Sequence, residues 1–393
     1  MTVYERLGVR SVVNARGCAT LAGGSLMPAE VVAAMAEAAR SFVRIGDLQE
    51  AASRRIAELT GAEAGYVTTG AAAGLTLGTA AILARLDPDL MDRLPDTGTS
   101  PAEIVVQTAH RNPYDHLVRA AGARLIEFGD DRGPSTREMA DAIGPATVGA
   151  FFHGQAEPGG LSIEEFVATA HANGLAVLVD ASMSLPPRAN LRRYIAAGAD
   201  LVAFSGGKTI RGPQASGFLA GRADLLLSVA LQQQDMDVLP ATWMRRTLLD
   251  SGALRRVPAH GIGRSMKTGK EEIVGLLVAL ERYVARDEDG ERQRWVALAE
   301  RIATGLRGIP GLAVRVDPAQ ADGRPVPMTI VTVDAEAYEL SAVDLVRRLA
   351  GRDPIVMVGD HDAEAGVIRL DPENLDDAGA DEVIAAFRSG GGS

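Results

Sequence analysis

Phe204-Ser205-Gly206-Gly207-Lys208-Thr209-Ile210-Arg211-Gly212-Pro213-Gln214-Ala215-Ser216-Gly217 lies between two apolar runs, 200–204 and 217–220. The pattern predicts a strand, a tight turn with one lysine at its tip, and a second strand. Gly206, Gly207 and Gly212 are expected to permit backbone angles closed to other residues and to let a ligand approach the chain. Read alone, Lys208 is equally a solvated lysine in a hairpin turn.

Upstream, Leu175-Ala176-Val177-Leu178-Val179-Asp180-Ala181-Ser182 reads as a buried parallel strand that ends on a carboxylate. Ligands of open α/β sheets bind beyond the carboxyl ends of the strands, so Asp180 and Lys208 can converge on one crevice. The pair suits pyridoxal 5'-phosphate, whose aldehyde needs a lysine amine and whose ring nitrogen needs an acidic partner to stay protonated. Asp180 could instead cap the next helix, but Pro186 and Pro187 delay any helix until about Leu191.

The lysine segment resembles the fold-type-I pyridoxal-phosphate enzymes, together with Thr69-Gly70-Ala71-Ala72-Ala73-Gly74, His110-Arg111-Asn112-Pro113-Tyr114-Asp115-His116 and the stretch 263–272. Within these it is similar to the group related to bacterial selenocysteine synthase that includes D-glucosaminate-6-phosphate ammonia-lyase. The likeness runs from about Val12 to about Leu375. It implies a large, mainly parallel-sheet domain with helices on both faces plus a smaller C-terminal α/β domain. It implies that Lys208 and Asp180 hold the cofactor and that His110 stacks on its ring. Ser182 and Ser205 join them as cofactor-binding candidates, and Gln214 is expected to reach the cofactor phosphate of either subunit. Two departures from the group stand out: Arg211 replaces a small residue, and Arg44-Ile45-Gly46 replaces a more acidic stretch.

Thr69, Gly70, Ala71 and Ala72 open a helix that is apolar on all sides, which therefore packs against the sheet. A small-residue turn at a helix N-terminus presents N–H groups to a phosphate. The same small side chains would also serve close helix–sheet packing. Arg369, in an otherwise apolar strand, suits an amino-acid carboxylate, or else lies on the solvent face of an edge strand. Lys267 and Lys270 either bind an anionic substrate tail or start a solvated helix; Arg211 is a further substrate candidate. Asp235 and Asp237 are candidates for polyol or amine groups, and 154–160 for part of a lid.

A chain of 393 residues is expected to divide. The expected pieces are 1–47 joining a small domain, 48–263 as the cofactor domain and 264–393 as the small domain. Between 103 and 204 strands and helices alternate, which predicts a parallel sheet with right-handed crossovers. Cys18 is the sole cysteine, so no internal disulfide forms and a thiolate metal site is not expected. The first residues lack a secretion signal and no apolar run is long enough for a membrane span, so a cytoplasmic protein is expected. A net charge of −11 disfavours nucleic-acid partners and hence a tRNA-handling role.

The implied activity is a lyase that removes water and ammonia from a β-hydroxy amino acid, in particular a phosphorylated or acidic sugar-like one, to give a 2-keto acid. Racemase, aldolase and aminotransferase reactions begin the same way, and a selenium or sulfur transferase acting on charged tRNA is a further alternative. A homodimer is expected, with 46–49 contributing to the neighbouring subunit's crevice.

Overall fold

The computed structural model describes residues 2–130, 133–154, 160–234 and 238–389. Its strands, in chain order, are β1 (Val12–Ala15), β2 (Ala64–Thr68), β3 (Glu103–Gln107), β4 (Arg124–Phe128), β5 (Thr147–His153), β6 (Ala176–Asp180), β7 (Leu201–Ser205), β8 (Gly217–Gly221), β9 (Leu312–Asp317), β10 (Met328–Val333), β11 (Ile355–Val358) and β12 (Val367–Leu370). The chain forms two compact units, Met27–Val284 and Met1–Leu26 with Ala285–Ser393.

The larger unit holds a seven-stranded sheet in the order β2-β8-β7-β6-β5-β3-β4. Its strands run parallel except β8, which is antiparallel to both β2 and β7. The predicted hairpin is therefore the β7–β8 pair. Because side chains alternate across a strand, each central strand feeds two cores. Val177, Val179, Val202, Phe204 and Phe218 enter one of them. Ala176, Leu178, Leu201, Ala203 and Leu219 enter the other. Strands clothed on both faces read as unbroken apolar runs, which is why β6 and β7 were legible.

The helix Gly70–Ala84 is buried over nearly its whole length, as its lack of a polar face predicts. Its first turn lies directly on β8: a Cβ on Gly217 would come within 2.6 Å of the Ala71 nitrogen, the Gly70 carbonyl carbon and the Phe204 oxygen. All three are backbone atoms and cannot swing aside. At the sheet's β2 edge, the amide of Gln49 takes the part of a missing strand. Its Nε2 donates to the Val67 carbonyl and its Oε1 accepts from the Val67 N–H, both at 3.0 Å. The Gly65 N–H donates to Ser53 Oγ at 3.0 Å. The Gln49 amide is thus occupied within its own chain.

The smaller unit pairs β1 with β11 in parallel and carries a second sheet, β12-β10-β9, antiparallel throughout. Its later elements run β9, β10, helix Ala342–Ala350, β11, β12 and helix Asp377–Arg388. Its boundaries differ from those expected: 27–47 and 264–284 belong to the larger unit, because the helix Lys270–Ala285 buries Ile273, Leu276, Ala279 and Leu280 in that unit's core. Just past β12, Asp371 is buried beside Glu373, accepts from Gln320 Nε2 at 2.9 Å, and abuts Gly17. Burial, then Glu373, raises the Asp371 carboxyl to about 7.

Replacing Gly217 with alanine should force the helix Gly70–Ala84 off β8. The expected cost is on the order of 1–3 kcal/mol, read as a lower urea midpoint with an unchanged slope; an unchanged midpoint would contradict this packing.

Candidate active site

The carboxyl ends of the parallel strands bring the predicted residues to one edge of the sheet. Cross-strand pairing places Thr68 beside Gly217 and Gly217 beside Ser205. In the neighbouring strands Asp180 pairs with Ala203 and His153 pairs with Asp180. With about 4.8 Å between strands, the row from Thr68 to Asp180 spans roughly 15 Å, the reach of one small cofactor.

Asp180 is 3 % exposed. The Ser182 N–H donates to its Oδ1 at 2.9 Å, and His153 Nε2 lies 3.9 Å from its Oδ2. Its backbone oxygen accepts from the Gly154 N–H at 2.8 Å. No helix begins until Asn190, so Asp180 caps none.

Lys208 is half-buried in a loop that closes on itself. The Gly212 N–H donates to the Gly206 carbonyl, and the Arg211 N–H to the Lys208 carbonyl, both at 2.8 Å. Thr209 Oγ1 donates to the Leu185 carbonyl at 3.1 Å, tying the lysine loop to the segment that follows Asp180. Ile210 is a buried plug in the core beneath. The sequence reading singled out neither residue, although a hydroxyl and an apolar side chain directly after the lysine were the signal. The glycines act otherwise than expected. Gly206, Gly207 and Gly212 have no positive φ; added Cβ atoms would strike Ser216 Oγ at 2.3 Å, Gln214 Cα at 2.5 Å and the Gly206 oxygen at 3.1 Å. They let the two limbs of the loop touch. The left-handed position is Arg211, with φ 61°, a conformation that costs a non-glycine residue about 1 kcal/mol.

At the phosphate seat, Gly70 has φ 86°, and a Cβ there would meet nothing within 4 Å. The first-turn N–H groups of this fifteen-residue helix have no partner within the helix. Thr69 Oγ1 donates to the Met266 carbonyl at 3.1 Å, which brings the segment with Lys267 alongside. Nearby Thr268, missed by the sequence reading, buries a hydroxyl for which no protein partner is present.

His110 is 2 % exposed. Its Nδ1 accepts from the His153 N–H at 3.2 Å, and Gln107 Nε2 lies 3.3 Å from both ring nitrogens. The ring meets Phe152 edge to face, with centroids 4.7 Å apart. Burial, then His153, lowers its pKa to about 4, so the ring is neutral at pH 7.

The other predicted residues differ in exposure and partners. Gln214 and Ala72 are exposed, Ser182, Ser205 and Arg211 half-buried, and Lys267 exposed. The Lys270 ammonium is taken by Glu271. Arg369, on β12 of the smaller unit, pairs with Asp362 at 2.6 Å. Asp235, Asp237, most of the 154–160 segment and the tail 390–393 lie outside the described residues.

Pyridoxal phosphate fits these residues. A buried carboxylate, a lysine one strand away and an open helix N-terminus answer its pyridine nitrogen, its aldehyde and its phosphate in turn. Among the described residues no cluster of three or more ligating side chains could hold a metal ion, and no helix is long and apolar enough to cross a membrane.

Residues 101–237 match the family Aminotransferase class-V. The chain is 33 % identical to 5'-C-glycyluridine monooxygenase-decarboxylase of Streptomyces sp over 97 % of its own length and 90 % of that protein's. It is 30 % identical to D-glucosaminate-6-phosphate ammonia lyase of Salmonella typhimurium, over 98 % and 97 %. An L-seryl-tRNA(Sec) selenium transferase of Desulfomicrobium baculatum is 26 % identical, over 97 % and 82 %. The solved structure of a D-glucosaminate-6-phosphate ammonia-lyase superposes with a TM-score of 0.81 at 29 % identity, covering 100 % of this chain and 98 % of that one.

The neutral ring of His110 sets a pH dependence. An unfolded histidine takes up a proton near 6.5, the folded one only near 4, so stability falls as pH drops through that window and is level above it. His110→Gln should remove up to roughly 3 kcal/mol of this acid loss, measured as urea unfolding of the larger unit at stepped pH; an unchanged acid slope would refute the assignment.

Proposed function

Because the chain belongs to the family of fold-type-I pyridoxal-phosphate enzymes that includes D-glucosaminate-6-phosphate ammonia-lyase, we propose that it converts a β-hydroxy amino acid to a 2-keto acid and ammonia. Water leaves across the Cα–Cβ bond and is regained when ammonia is released, so one substrate gives one keto acid and one ammonia. The observation that carries this reading is the placement of Asp180 and Lys208 at the ends of strands β6 and β7, beside an open helix N-terminus.

Bound pyridoxal phosphate supplies an electrophilic aldehyde and a ring that withdraws electrons from the substrate's Cα. Lys208 Nζ would hold the cofactor through its aldehyde and would stand as the base for the substrate's Cα proton. An amine desolvated at the foot of a crevice is suited to this work. Asp180, buried and bonded by the Ser182 N–H, would face the pyridine nitrogen and favour a proton on it. The N–H groups at Gly70–Ala72 orient the phosphate, beside a Thr69 hydroxyl that donates to the Met266 carbonyl. His110 covers the ring and excludes water. Lys267 and Arg211 supply positive charge for an acidic or phosphorylated substrate tail.

A second reading is favoured by the Streptomyces relative, whose identity to this chain is as high as 33 %. In it the same residues serve oxygen-dependent decarboxylation of an amino acid. A cytoplasmic location accords with the lone Cys18.

Purified holoenzyme offered D- and L-β-hydroxy amino acids, including phosphorylated amino-sugar acids, should release keto acid and ammonia in equal amounts without oxygen uptake. Oxygen uptake with carbon dioxide release would establish the second reading instead. Lys208→Ala should lower turnover by roughly 10²–10⁴-fold or more, and the cofactor should no longer be fixed to the chain by borohydride.

The larger unit exposes Phe42 completely, with Val32, Val43 and Ile45 also open to solvent. Apolar side chains gathered so closely in one stretch suit a second copy of the chain. Light scattering should give twice the 41.1 kDa chain mass, and Phe42→Asp should shift it toward the monomer.

A further inference from the structure

Phe42 is 102 % exposed, so its own chain gives the ring no cover. It stands in the short irregular stretch between the helices Ala29–Ala38 and Ile45–Thr60, with Val43 and Ile45 also open to solvent. Gly46 lies against the thioether of the exposed Met244, which carries the apolar surface across to the segment that holds Arg245. Arg245 borders a cleft of about 140 Å³ at the β2 edge of the sheet. Ala64, Tyr66, Ala223, Leu226, Leu227 and Ala230 supply most of its walls. Each polar side chain lining the cleft already has a partner. The Gln49 amide and Ser53 Oγ serve the backbone of β2, the Tyr66 hydroxyl donates to Gln233 Oε1 at 3.2 Å, and Arg245 pairs with Glu50 at 3.8 Å. What the cleft leaves unmet is apolar, and an apolar cavity of about 150 Å³ is large enough to take up benzene.

We propose that the cleft at the β2 edge receives Phe42 of a second copy of this chain, each copy seating the other's ring. The inference rests on the pairing of two copies proposed above and adds where they meet. Knob and cleft belong to the same unit, and both adjoin the helix Ile45–Thr60, which follows Phe42 and supplies Gln49, Glu50 and Ser53 to the cleft. A surface that bears both halves of a contact is self-complementary, so a two-fold axis makes the contact twice and satisfies both halves. That closure favours a second copy over an unrelated protein, which would fill the cleft and leave Phe42 bare, or cover Phe42 and leave the cleft empty. An aromatic ring seated in a pocket is also the kind of anchor that carries most of the affinity of a protein interface.

Sedimentation of the cofactor-loaded protein at stepped concentration should show Phe42→Ala loosening the dimer on the order of 10³-fold, because two seats are lost at once. Ala230→Phe, which fills the cleft from within, should loosen it comparably, and the double variant should be no looser than either alone. With the sole native cysteine removed by Cys18→Ser, Phe42→Cys combined with Ala230→Cys should be joined by a short bifunctional maleimide into a species of twice the chain mass. Peptide mapping should place the link between the two introduced cysteines. A wild-type monomer would overturn both this seat and the pairing. A stable dimer in which Phe42→Ala costs less than about threefold in affinity, or in which the two cysteines are linked only within one chain or not at all, would overturn the seat and leave the pairing standing. Phe42 is bare in its own chain, so its truncation keeps the test open even if Ala230→Phe fails to fold. None of these measurements reads turnover, and the lyase reading is judged separately.

Discussion

The closeness of the helix Gly70–Ala84 to the sheet governs the rest of the site. A helix N-terminus binds a phosphate only if its first N–H groups are bare and aimed at one place. Here the helix's first turn is placed by the missing side chain of Gly217, across which it rests on the backbone of β7 and β8. The same glycine pairs with Ser205, so the phosphate seat and the lysine loop share one cross-strand rung. Moving the helix outward by the width of a methyl group would part the two binding ends of the cofactor. The packing is backbone on backbone and has no soft member to yield.

Two kinds of feature were legible in the sequence for different reasons. Strands β5 to β7 and the buried helix announce themselves because both faces are apolar, and a carboxylate ending such a strand has few structural excuses. The rule that ligands of open α/β sheets bind beyond strand carboxyl ends joined Asp180 to Lys208 before any distance was known, and the fold-type-I resemblance added to it. The bonds that orient the site were not legible. Gln107 is a terminal strand residue like many others until its amide is seen between Leu161 and His110. The glycines of the lysine loop were read as conformational hinges, whereas their φ angles are ordinary and they serve contact between loop limbs. The division into units was misjudged at both ends because amphipathic helices such as Lys270–Ala285 advertise an apolar face without saying which core receives it.

The two units carry buried ionisable groups of opposite sense. In the larger, His110 keeps its proton off until about 4, so acid works against the fold. In the smaller, Asp371 retains its proton up to about 7 whereas an unfolded aspartate loses it near 3.8, so stability there falls as pH rises across that span and is level above it. Acid therefore weighs on the larger unit, while the change from acid to neutral pH weighs on the smaller. A single melting temperature would not describe the protein well.

The amide of Gln49 has a consequence for assembly. By imitating a backbone along β2, it seals a rim of hydrogen-bonding groups that an eighth strand could otherwise join. The opposite rim, β4, is guarded by charge, with Arg124 paired to Glu103 and Glu127 to Arg111. Growth by ribbon addition, the usual route from a sheet protein to fibres, is thereby discouraged at both margins. Association is left to helical and loop surfaces, where closed and finite partnerships form more readily than endless ones.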